Sequence, residues 1–319
     1  MKVLITGAFG FLGGRLAQSL AAGSKHEVLL ASRRRRPPHD WLAAARTVQI
    51  QLNRADTIDA AVTGADAVVS LAGMNAEDAA SDAVGALECN GIGTGRVLEA
   101  AKRQRVKRFV YLSTAHVYGS PLSGVITEQT CPVSLHPYAT SHRAGEDLVR
   151  AAHQRKEIEG VVVRLSNSFG APAHKDANCW TLLVNDLCRQ AVTAGRLVLR
   201  SDGLQHRDFV ALSDACGAIS HLLELPVTAL ADGLFNVGGG WSPSILEMTE
   251  RVAERVFVVT GRRPPIERGK EGTRQHSASL DYCVDKLAAT GFPTARDAQV
   301  DQEIDSLIRF CLENYGPRK

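Results

Sequence analysis

A glycine-rich turn follows the first apolar run of the chain and restricts what the chain can fold into. The run at 3–6 leads directly to Gly7, Gly10 and Gly13, and an amphipathic segment follows at 11–22. Glycines at this spacing between a strand and a helix allow a tight turn, close approach of the backbone to a pyrophosphate, and close packing of the helix. The pattern is specific only in this strand–turn–helix setting. We therefore predict a dinucleotide-binding turn, with a purely structural turn as the alternative.

Short apolar runs alternate with longer amphipathic segments through the first half of the chain. Expected strands lie at 3–6, 28–31, 67–72, 109–113 and 161–165, and expected helices at 11–22, 91–104, 179–194, 213–224, 244–260 and 297–314. Continuous apolar runs indicate strands covered on both faces, as in a parallel sheet flanked by helices. The alternation predicts an α/β fold with a doubly wound parallel sheet of the Rossmann type.

The regular alternation loosens after residue 166, where short apolar pieces are interleaved with helical ones. We expect a dinucleotide-binding domain at 1–165, with returning segments near 205–240. The remainder, mainly 166–319, is expected to form a smaller, discontinuous substrate-binding lobe.

Composition excludes several function classes. The 319 residues carry 37 Lys plus Arg against 34 Asp plus Glu, a net charge of +3, which is too small for the basic surface that nucleic-acid binding needs. No apolar run approaches the roughly 18 residues of a membrane span. Seven cysteines without a CxxC pair argue against a disulfide framework or a structural zinc site. These features predict a cytoplasmic protein that binds neither nucleic acid nor membrane, and no metal.

The residues at the end of the second expected strand indicate whether NAD or NADP binds. An acidic residue there binds the adenosine ribose hydroxyls, whereas an arginine favours a 2′-phosphate. This chain has Ser32 and Arg33 at that place, followed by Arg35 and Arg36, which we interpret as a solvated loop. The pattern predicts NADP, held by Ser32 and Arg33, with NAD as the alternative.

Several ordered motifs make the chain resemble the extended short-chain dehydrogenase/reductase family, which contains nucleotide-sugar epimerases, dehydratases and ketoreductases. The resemblance covers nearly the whole chain. The motifs are GAFGFLG at 7–13, NGIGTGRVLEAA at 90–101, STAHVYG at 113–119, PYATSH at 137–142, RLSNSFGAP at 164–172, RDFV at 207–210, NVGGG at 236–240 and DKLAATGF at 285–292.

The resemblance implies a catalytic set. In the family a tyrosine is the acid/base partner of the substrate oxygen, a Ser or Thr shares that hydrogen bond, and a lysine four residues after the tyrosine assists. By position Thr114 takes the hydroxyl role and Tyr138 the acid/base role, but His142 stands where the lysine is expected. Three interpretations remain: His142 replaces the lysine as ribose ligand and helper, another group such as Arg143 or His116 does so, or catalysis is lost.

The resemblance also implies the residues around the ligands. The expected cofactor-binding residues are Gly7, Phe9, Gly10, Phe11, Leu12, Gly13, Ser32, Arg33, Leu52, Leu71, Ala72, Gly73, Asn90, Tyr138 and His142. The expected substrate-binding residues are His116, Asn167, Asn178 and Arg207. Asn178 is expected to open a helix at a pyrophosphate, and Arg207 to clamp a nucleotide diphosphate. The alternatives are an Asn that caps a helix and an ion pair between Arg207 and Asp208. Lys270 and Arg274 match more loosely.

Sugar-nucleotide 4,6-dehydratases carry an acidic pair after the Thr, where this chain has Ala115 and His116, so the sequence disfavours dehydration. We predict an NADP-dependent enzyme that reduces a keto group, most simply a 4-keto group, of a nucleotide-activated sugar. The alternatives are a nucleotide-sugar 4-epimerase with tightly bound NAD(P), a reductase of small non-nucleotide carbonyls, and a cofactor-binding protein without turnover. The resemblance implies a homodimer through helices near 90–104 and 138–155.

Overall fold

Seven parallel strands form the central sheet of the protein. A computed structural model describes residues 1–23, 25–34, 40–42, 45–269, 278–293 and 297–316. The sheet strands are β1 (Lys2–Thr6), β2 (Glu27–Ser32), β3 (Arg46–Gln49), β4 (Ala67–Ser70), β5 (Arg108–Thr114), β7 (Glu159–Leu165) and β11 (Leu234–Val237), in the order β11-β7-β5-β4-β1-β2-β3. Successive strands extend in opposite directions from β1, which places a ligand crevice at the carboxyl ends of β1 and β4.

Six further short strands pair outside this sheet. They are β6 (Gly124–Ile126), β8 (Asn167–Phe169), β9 (Leu197–Leu199), β10 (Phe209–Ala211), β12 (Ile266–Arg268) and β13 (Leu280–Tyr282). They form three two-stranded parallel ribbons, β8 with β10, β9 with β12, and β6 with β13. Through these pairings, residues far apart in sequence meet outside the central sheet.

The helices cover the sheet and build the second lobe. They are α1 (Phe11–Ala22), α2 (Ala55–Val62), α3 (Ala76–Ser81), α4 (Ala83–Ala86), α5 (Thr94–Arg103), α6 (Pro137–Gln154), α7 (Leu183–Ala194), α8 (Leu212–Glu224), α9 (Ile245–Thr260), α10 (Asp285–Ala288) and α11 (Asp297–Tyr315). A π-helical segment, Leu87–Gly93, joins α4 to α5. Among the described residues, none of these helices has the length and apolar composition needed to cross a membrane.

Apolar side chains cover both faces of the sheet, as continuous strand hydrophobicity requires. One face packs against α1 and α8, and the other against α2, α5 and α6. A separate apolar cluster joins α7, α9 and α11 in the second lobe. The predicted doubly wound α/β fold is therefore confirmed.

An ion pair links the second lobe to α1. Arg15 on α1 donates to Glu303 on α11 (Nη1 to Oε1, 3.0 Å) and to the carbonyl of Ala171 (2.6 Å). The amide of Ala171 also donates to Glu303 Oε1. Because Glu303 is almost fully buried, this contact holds the segment after β8 against the glycine-turn helix.

A second buried ion pair ties α6 to the sheet. Glu146 and Arg164 have almost no exposed surface, and Arg164 donates to both carboxylate oxygens, Nε to Oε1 at 2.9 Å and Nη2 to Oε2 at 2.6 Å. Ser113 at the end of β5 donates to the same carboxylate. Two buried charges are tolerated only when they are paired and their remaining hydrogen bonds are satisfied. The pair therefore determines how α6 sits on β5 and β7.

Most expected elements lie within a few residues of the observed ones, with two instructive differences. The helix expected at 91–104 becomes α-helical only at Thr94, because the preceding segment adopts π geometry. The helix expected to begin near 179 begins at Leu183. Trp180 explains the late start of this helix, because its ring stacks on Phe310 and meets Tyr315 edge-on. These contacts with α11 hold the residues before Leu183 in turns.

Candidate functional site

A cleft of about 570 Å³ opens at the carboxyl ends of β1, β4, β5 and β7. It brings together most of the residues predicted to bind ligands. Those lining it are Gly7, Gly10, Phe11, Leu12, Gly13, Leu71, Gly73, Thr114, His116, Tyr138, His142, Asn167, Asn178 and Arg207. Phe9, Ser32, Arg33, Leu52, Ala72 and Asn90 lie outside its lining. The cleft therefore joins the glycine turn, the catalytic stretch and the second lobe.

The glycine turn forms a cradle that side chains would fill. Gly7 adopts φ 66°, a conformation that favours glycine. A Cβ on Gly13 would lie 2.2 Å from the carbonyl oxygen of Gly7, so no larger residue fits there. Gly10 precedes α1 without a capping side chain, which leaves the first amides of the helix available. Such an N-terminus suits an anion, so these residues fit the pyrophosphate of a dinucleotide.

The end of β2 presents Ser32 and Arg33 at the edge of the fold. Ser32 is nearly buried and Arg33 is exposed, with Gln49 Nε2 donating to the Arg33 carbonyl at 3.2 Å. The described residues at this strand end, 31–34, include no acidic side chain. Arg35 and Arg36 lie outside the described residues. A fixed positive charge is thus present at the end of β2, where the sequence predicts the cofactor's adenosine ribose to bind.

Asn90, expected at the cofactor, lies outside the cleft lining and links three segments of the chain. It is fully buried in the π-helical segment, accepts from the amide of Met74 at 2.7 Å, and donates to Ser141 Oγ at 3.0 Å. Ser141 in turn donates to the carbonyl of Tyr138. Asn90 therefore ties the loop after β4 to the first turn of α6.

The other expected cofactor residues outside the lining also have contacts within the protein. The amide of Ala72 donates to Thr6 Oγ1, and the Leu52 carbonyl accepts from Arg96. Phe9 meets Trp41 edge-on, and its carbonyl contacts the ring of His174. These residues support the walls of the crevice.

Thr114 and Tyr138 face the same part of the cleft from β5 and α6. Thr114 is the last residue of its strand, and its side chain caps the following turn by accepting from the amide of His116 at 3.2 Å. Tyr138 lies in the first turn of α6, where His136 accepts from its amide. Burial raises the pKa of the Tyr138 phenol above its usual range, and a hydrogen bond with Thr114 opposes that shift. The phenol is therefore protonated near neutral pH.

His142 packs directly beside this tyrosine. The two rings meet edge to face with centroids 4.6 Å apart, and His142 is only 7% exposed. Burial lowers the pKa of its imidazole to about 4, outweighing a hydrogen bond with the backbone of Leu112 that favours the protonated ring. The ring is therefore neutral at pH 7, and no positive charge stands where the family places a lysine.

The two other candidates for the lysine's role differ in position. Arg143 is exposed and donates to the carbonyl of Pro132, outside the cleft lining. His116 lines the cleft, but burial and the nearby Arg207 charge lower the pKa of its imidazole. Neither supplies a positive charge beside Tyr138 near neutral pH.

Arg207 enters the cleft while its neighbour Asp208 faces the protein interior. Arg207 is half-buried, which lowers the pKa of its guanidinium, and Nη2 donates to Gln205 at 3.1 Å. Asp208 accepts from Ser166 Oγ and from the amide of Gly239, and burial raises the pKa of its carboxyl to about 6. The alternative of an ion pair between Arg207 and Asp208 is therefore wrong, because Arg207 pairs with Gln205 while the Asp208 carboxylate is bound by Ser166 and Gly239.

The two expected asparagines line the cleft in different ways. Asn167 begins β8 and donates from Nδ2 to the Asp208 carbonyl at 2.9 Å, which links β8 to the residues just before β10. Asn178 lines the cleft but does not open a helix, because the chain turns until Leu183. The prediction of a helix N-terminus at Asn178 is wrong. Lys270 and Arg274 lie outside the described residues.

Sequence reasoning missed several polar residues of the cleft. Asn75 and Glu77 lie in the segment after β4, Ser113 is the residue before the end of β5, and Ser166 follows β7. Ser113 and Ser166 lie at the carboxyl end of an apolar run, and that position was the signal available in the sequence. Thr181, on the turns before α7, carried no such signal.

Comparison with known proteins agrees with this architecture. The family model described as NAD dependent epimerase/dehydratase family matches residues 3–238. The chain is similar to dTDP-glucose 4,6-dehydratase of Streptomyces niveus, at 28% identity over 265 residues, 79% of this chain and 76% of that protein. It is also similar to UDP-glucuronic acid decarboxylase 6 of Arabidopsis thaliana, at 27% identity over 266 residues, 80% of this chain and 74% of that protein.

A solved structure shows the same fold over nearly the full length. The structure, described as MoeE5 in complex with UDP-glucuronic acid and NAD, is 26% identical, covers 98% of this chain and 99% of that chain, and has a TM-score of 0.78. The similarity therefore includes both the sheet and the second lobe.

The neutral state of His142 predicts a specific dependence of stability on pH. Its pKa is about 4 in the folded protein against 6.5 in the unfolded chain, so the unfolded chain binds more protons between these values and stability falls as pH falls from 6.5 to 4. His142→Gln removes this contribution. Between pH 7 and pH 4 the free energy of unfolding, measured with urea, should fall by about 3 kcal/mol less in the variant than in the wild type. If the free energy of unfolding fell equally steeply in both proteins, His142 would not be a neutral buried imidazole.

Proposed function

The chain belongs to the NAD-dependent epimerase/dehydratase family, of the extended short-chain dehydrogenase/reductase type, and on that premise we propose that it reduces a keto group of a nucleotide-activated sugar. The observation that carries the proposal is the neutral pair formed by Tyr138 and His142. Reduction of a carbonyl needs a proton donor, whereas oxidation of a sugar hydroxyl needs a base. A buried phenol with a raised pKa and no cation beside it suits the donor role.

The reaction requires two transfers to the carbonyl. The glycine turn would hold a reduced nicotinamide dinucleotide, which would supply the hydride for the carbonyl carbon and would itself be oxidised. Tyr138 donates its phenolic proton to the carbonyl oxygen, so the product is an alcohol. Thr114, which lies within hydrogen-bond reach of Tyr138, donates a second hydrogen bond to the same oxygen and orients it. The tyrosine regains a proton from solvent through the open side of the cleft.

Arg207 and the polar residues of the second lobe support a substrate that is bound through a nucleoside diphosphate group. The guanidinium fork matches phosphate oxygens, and Arg207 lines the cleft, where Gln205 accepts a hydrogen bond from its guanidinium. Asn167 and Asn178 line the same wall and supply amide donors. The solved relative carries UDP-glucuronic acid, which supports the same substrate class here.

A 4-epimerase is the second candidate, and the name of the matching family favours it. An epimerase oxidises and then reduces the same carbon, so Tyr138 must also act as a base. Dehydration has less support despite the similarity to a dTDP-glucose 4,6-dehydratase. Ala115 is buried and His116 is the neutral group beside Thr114, so that turn has no acidic pair.

Assays of cofactor and product together test the proposal. We expect the purified protein to consume reduced dinucleotide with nucleoside-diphosphate 4-keto sugars, and Tyr138→Phe to lower kcat by about 10²–10⁴-fold because the proton donor is lost. Tyr315→Phe, remote on α11, is the matched control. Interconversion of sugar epimers without net consumption of cofactor would instead identify an epimerase. Dinucleotide binding without any conversion would identify a protein that has lost turnover.

We propose NADP as the preferred dinucleotide, because Arg33 is exposed at the end of β2 with no acidic side chain at 31–34. The solved relative carries NAD, which makes NAD the alternative. Arg33→Ala should raise KM for NADPH about tenfold or more and leave KM for NADH nearly unchanged, since only NADPH carries the 2′-phosphate. Arg34→Ala is the matched control. Equal effects on both cofactors would rule out a 2′-phosphate contact at Arg33.

We also propose a homodimer through the surface formed by α4, the π-helical segment and α6. Its exposed apolar side chains are Val84, Leu87, Ile92 and Leu148. Leu148 lies against Gly95, which allows a second helix pair to approach closely. Light scattering should give twice the chain mass of 34.3 kDa. Leu148→Asp should halve that mass, whereas Val198→Asp on the second lobe should not. A wild-type monomer at assay concentrations would reject the dimer.

A further inference from the structure

The segment that follows β8 reaches from the second lobe to the glycine turn. Its half-buried His174 lies with Nε2 3.1 Å from the carbonyl oxygen of Phe9, a residue 165 positions earlier in the chain. Because a carbonyl oxygen only accepts, Nε2 carries a hydrogen and donates it to Phe9. The reaction proposed above does not use this contact.

This hydrogen bond fixes one peptide unit of the turn at both ends. The amide of Gly10 donates to the carbonyl of Gly7 at 2.9 Å, and the carbonyl of the same peptide unit, that of Phe9, accepts from His174. The carbonyl and the N–H of a trans peptide point in opposite directions, so the two bonds together oppose its rotation. Gly10 is the N-cap of α1. The orientation of this peptide therefore sets the direction in which the chain enters the helix.

An aromatic contact holds the imidazole in place. Trp41, in a single 3₁₀ turn after β2, stacks on His174 with ring centroids 5.4 Å apart and planes inclined by 23°. The ring of Phe9 meets Trp41 edge-on at 5.9 Å. Gln18 on α1 donates from Nε2 to the Trp41 carbonyl at 3.3 Å. The imidazole is therefore packed against a residue that is itself linked to α1 and to the glycine turn.

The backbone around His174 approaches α1 closely because Gly14 has no side chain. A Cβ on Gly14 would lie 2.8 Å from Cβ of Ala173, the residue before His174. Earlier in the same segment, the carbonyl of Ala171 accepts from Arg15 on α1 at 2.6 Å. The second lobe thus presents His174 to the turn from a segment that is attached to the same helix.

We propose that His174 is a positioning residue for the glycine turn: by donating from Nε2 to the Phe9 carbonyl it fixes the peptide that leads into α1. It thereby aligns the first amides of the helix for the pyrophosphate of a dinucleotide. The effect on cofactor binding rests on the proposed function. The effect on the turn is a property of the protein without any ligand.

The affinity for the cofactor depends on this alignment. Amides at a helix N-terminus bind an anion well when they point at it together. Without the donor at 174, the Phe9 carbonyl loses this hydrogen bond and the peptide can rotate, which weakens the bond from Gly10 to Gly7. NADPH and NADH both carry the pyrophosphate, so both should bind more weakly by the same factor.

Two substitutions separate the donor from the ring. His174→Phe keeps an aromatic ring beside Trp41 but removes the donor, and it should raise the Kd of NADPH and of NADH about three- to tenfold each, as expected for the loss of one hydrogen bond. His174→Gln keeps an N–H donor and should restore most of the affinity for both. Titration calorimetry of the full-length protein measures these constants.

His221→Phe is the matched control. His221 on α8 also has a hydrogen-bonding Nε2, 2.8 Å from Thr290 Oγ1, and an aromatic neighbour, Phe292, at 5.6 Å. It does not contact the glycine turn in the structure, so the variant should leave both dissociation constants unchanged.

Amide hydrogen exchange tests the turn without ligand. In His174→Phe the Gly10 amide should exchange about tenfold faster than in the wild type, whereas the amide of Gly239, which donates to Asp208, should keep its rate. Equal acceleration at both amides would indicate general loosening and would overturn the proposal. So would an unchanged Gly10 rate, or a weaker binding of NADPH alone.

The proposed function and this inference fail in different ways. A protein that binds both dinucleotides but reduces no keto sugar would refute the reductase function and leave the inference intact. A wild-type protein that binds neither dinucleotide would refute both the reductase function and the effect of His174 on cofactor affinity.

Discussion

The buried pair of Glu146 and Arg164 is the interaction on which the geometry of the site depends. Glu146 is four residues after His142 and eight after Tyr138, so all three lie on one face of α6. Arg164 comes from β7, stacks over the ring of Tyr118, and binds both oxygens of the carboxylate. An unpaired charge at this depth would cost several kcal/mol. The pair links α6 to β7, and with α6 in this position Tyr138 lines the cleft.

The chemistry of the cleft follows from a separation of charge. Among the described lining residues, Arg207 is the one lysine or arginine, and the available amides of α1 provide the other centre that attracts an anion. Between them, burial keeps Tyr138, His116 and His142 neutral near pH 7. An anion is thus attracted at either end of the cleft, and neutral groups lie between the two ends. This distribution supports the proposed proton donation, and it depends on desolvation rather than on a lysine.

Several parts of the site could be predicted because each rests on a short-range pattern. The glycine turn requires only a strand, three glycines and a helix, so Gly7, Gly10 and Gly13 could be recognised directly. Thr114, Tyr138 and Arg207 could be placed by motifs that resemble a known family. Asn178 could not, because the stacking of Trp180 on Phe310, 130 positions away, delays the start of α7. Asn90 could be placed near the site, but its contacts with Met74 and Ser141 depend on three segments meeting.

The sequence by itself determined the class of fold, the cradle for a dinucleotide and the departure at His142, because these are encoded in periodicity and in residues close along the chain. Only the tertiary structure decided what that histidine does. Its neutrality arises from burial between β5 and α6. Another contact that only the folded chain makes joins His174 to the Phe9 carbonyl across 165 positions. Burial and contacts between distant residues have no periodic signature in a sequence, so the electrostatic character of the site emerged only when the chain was folded.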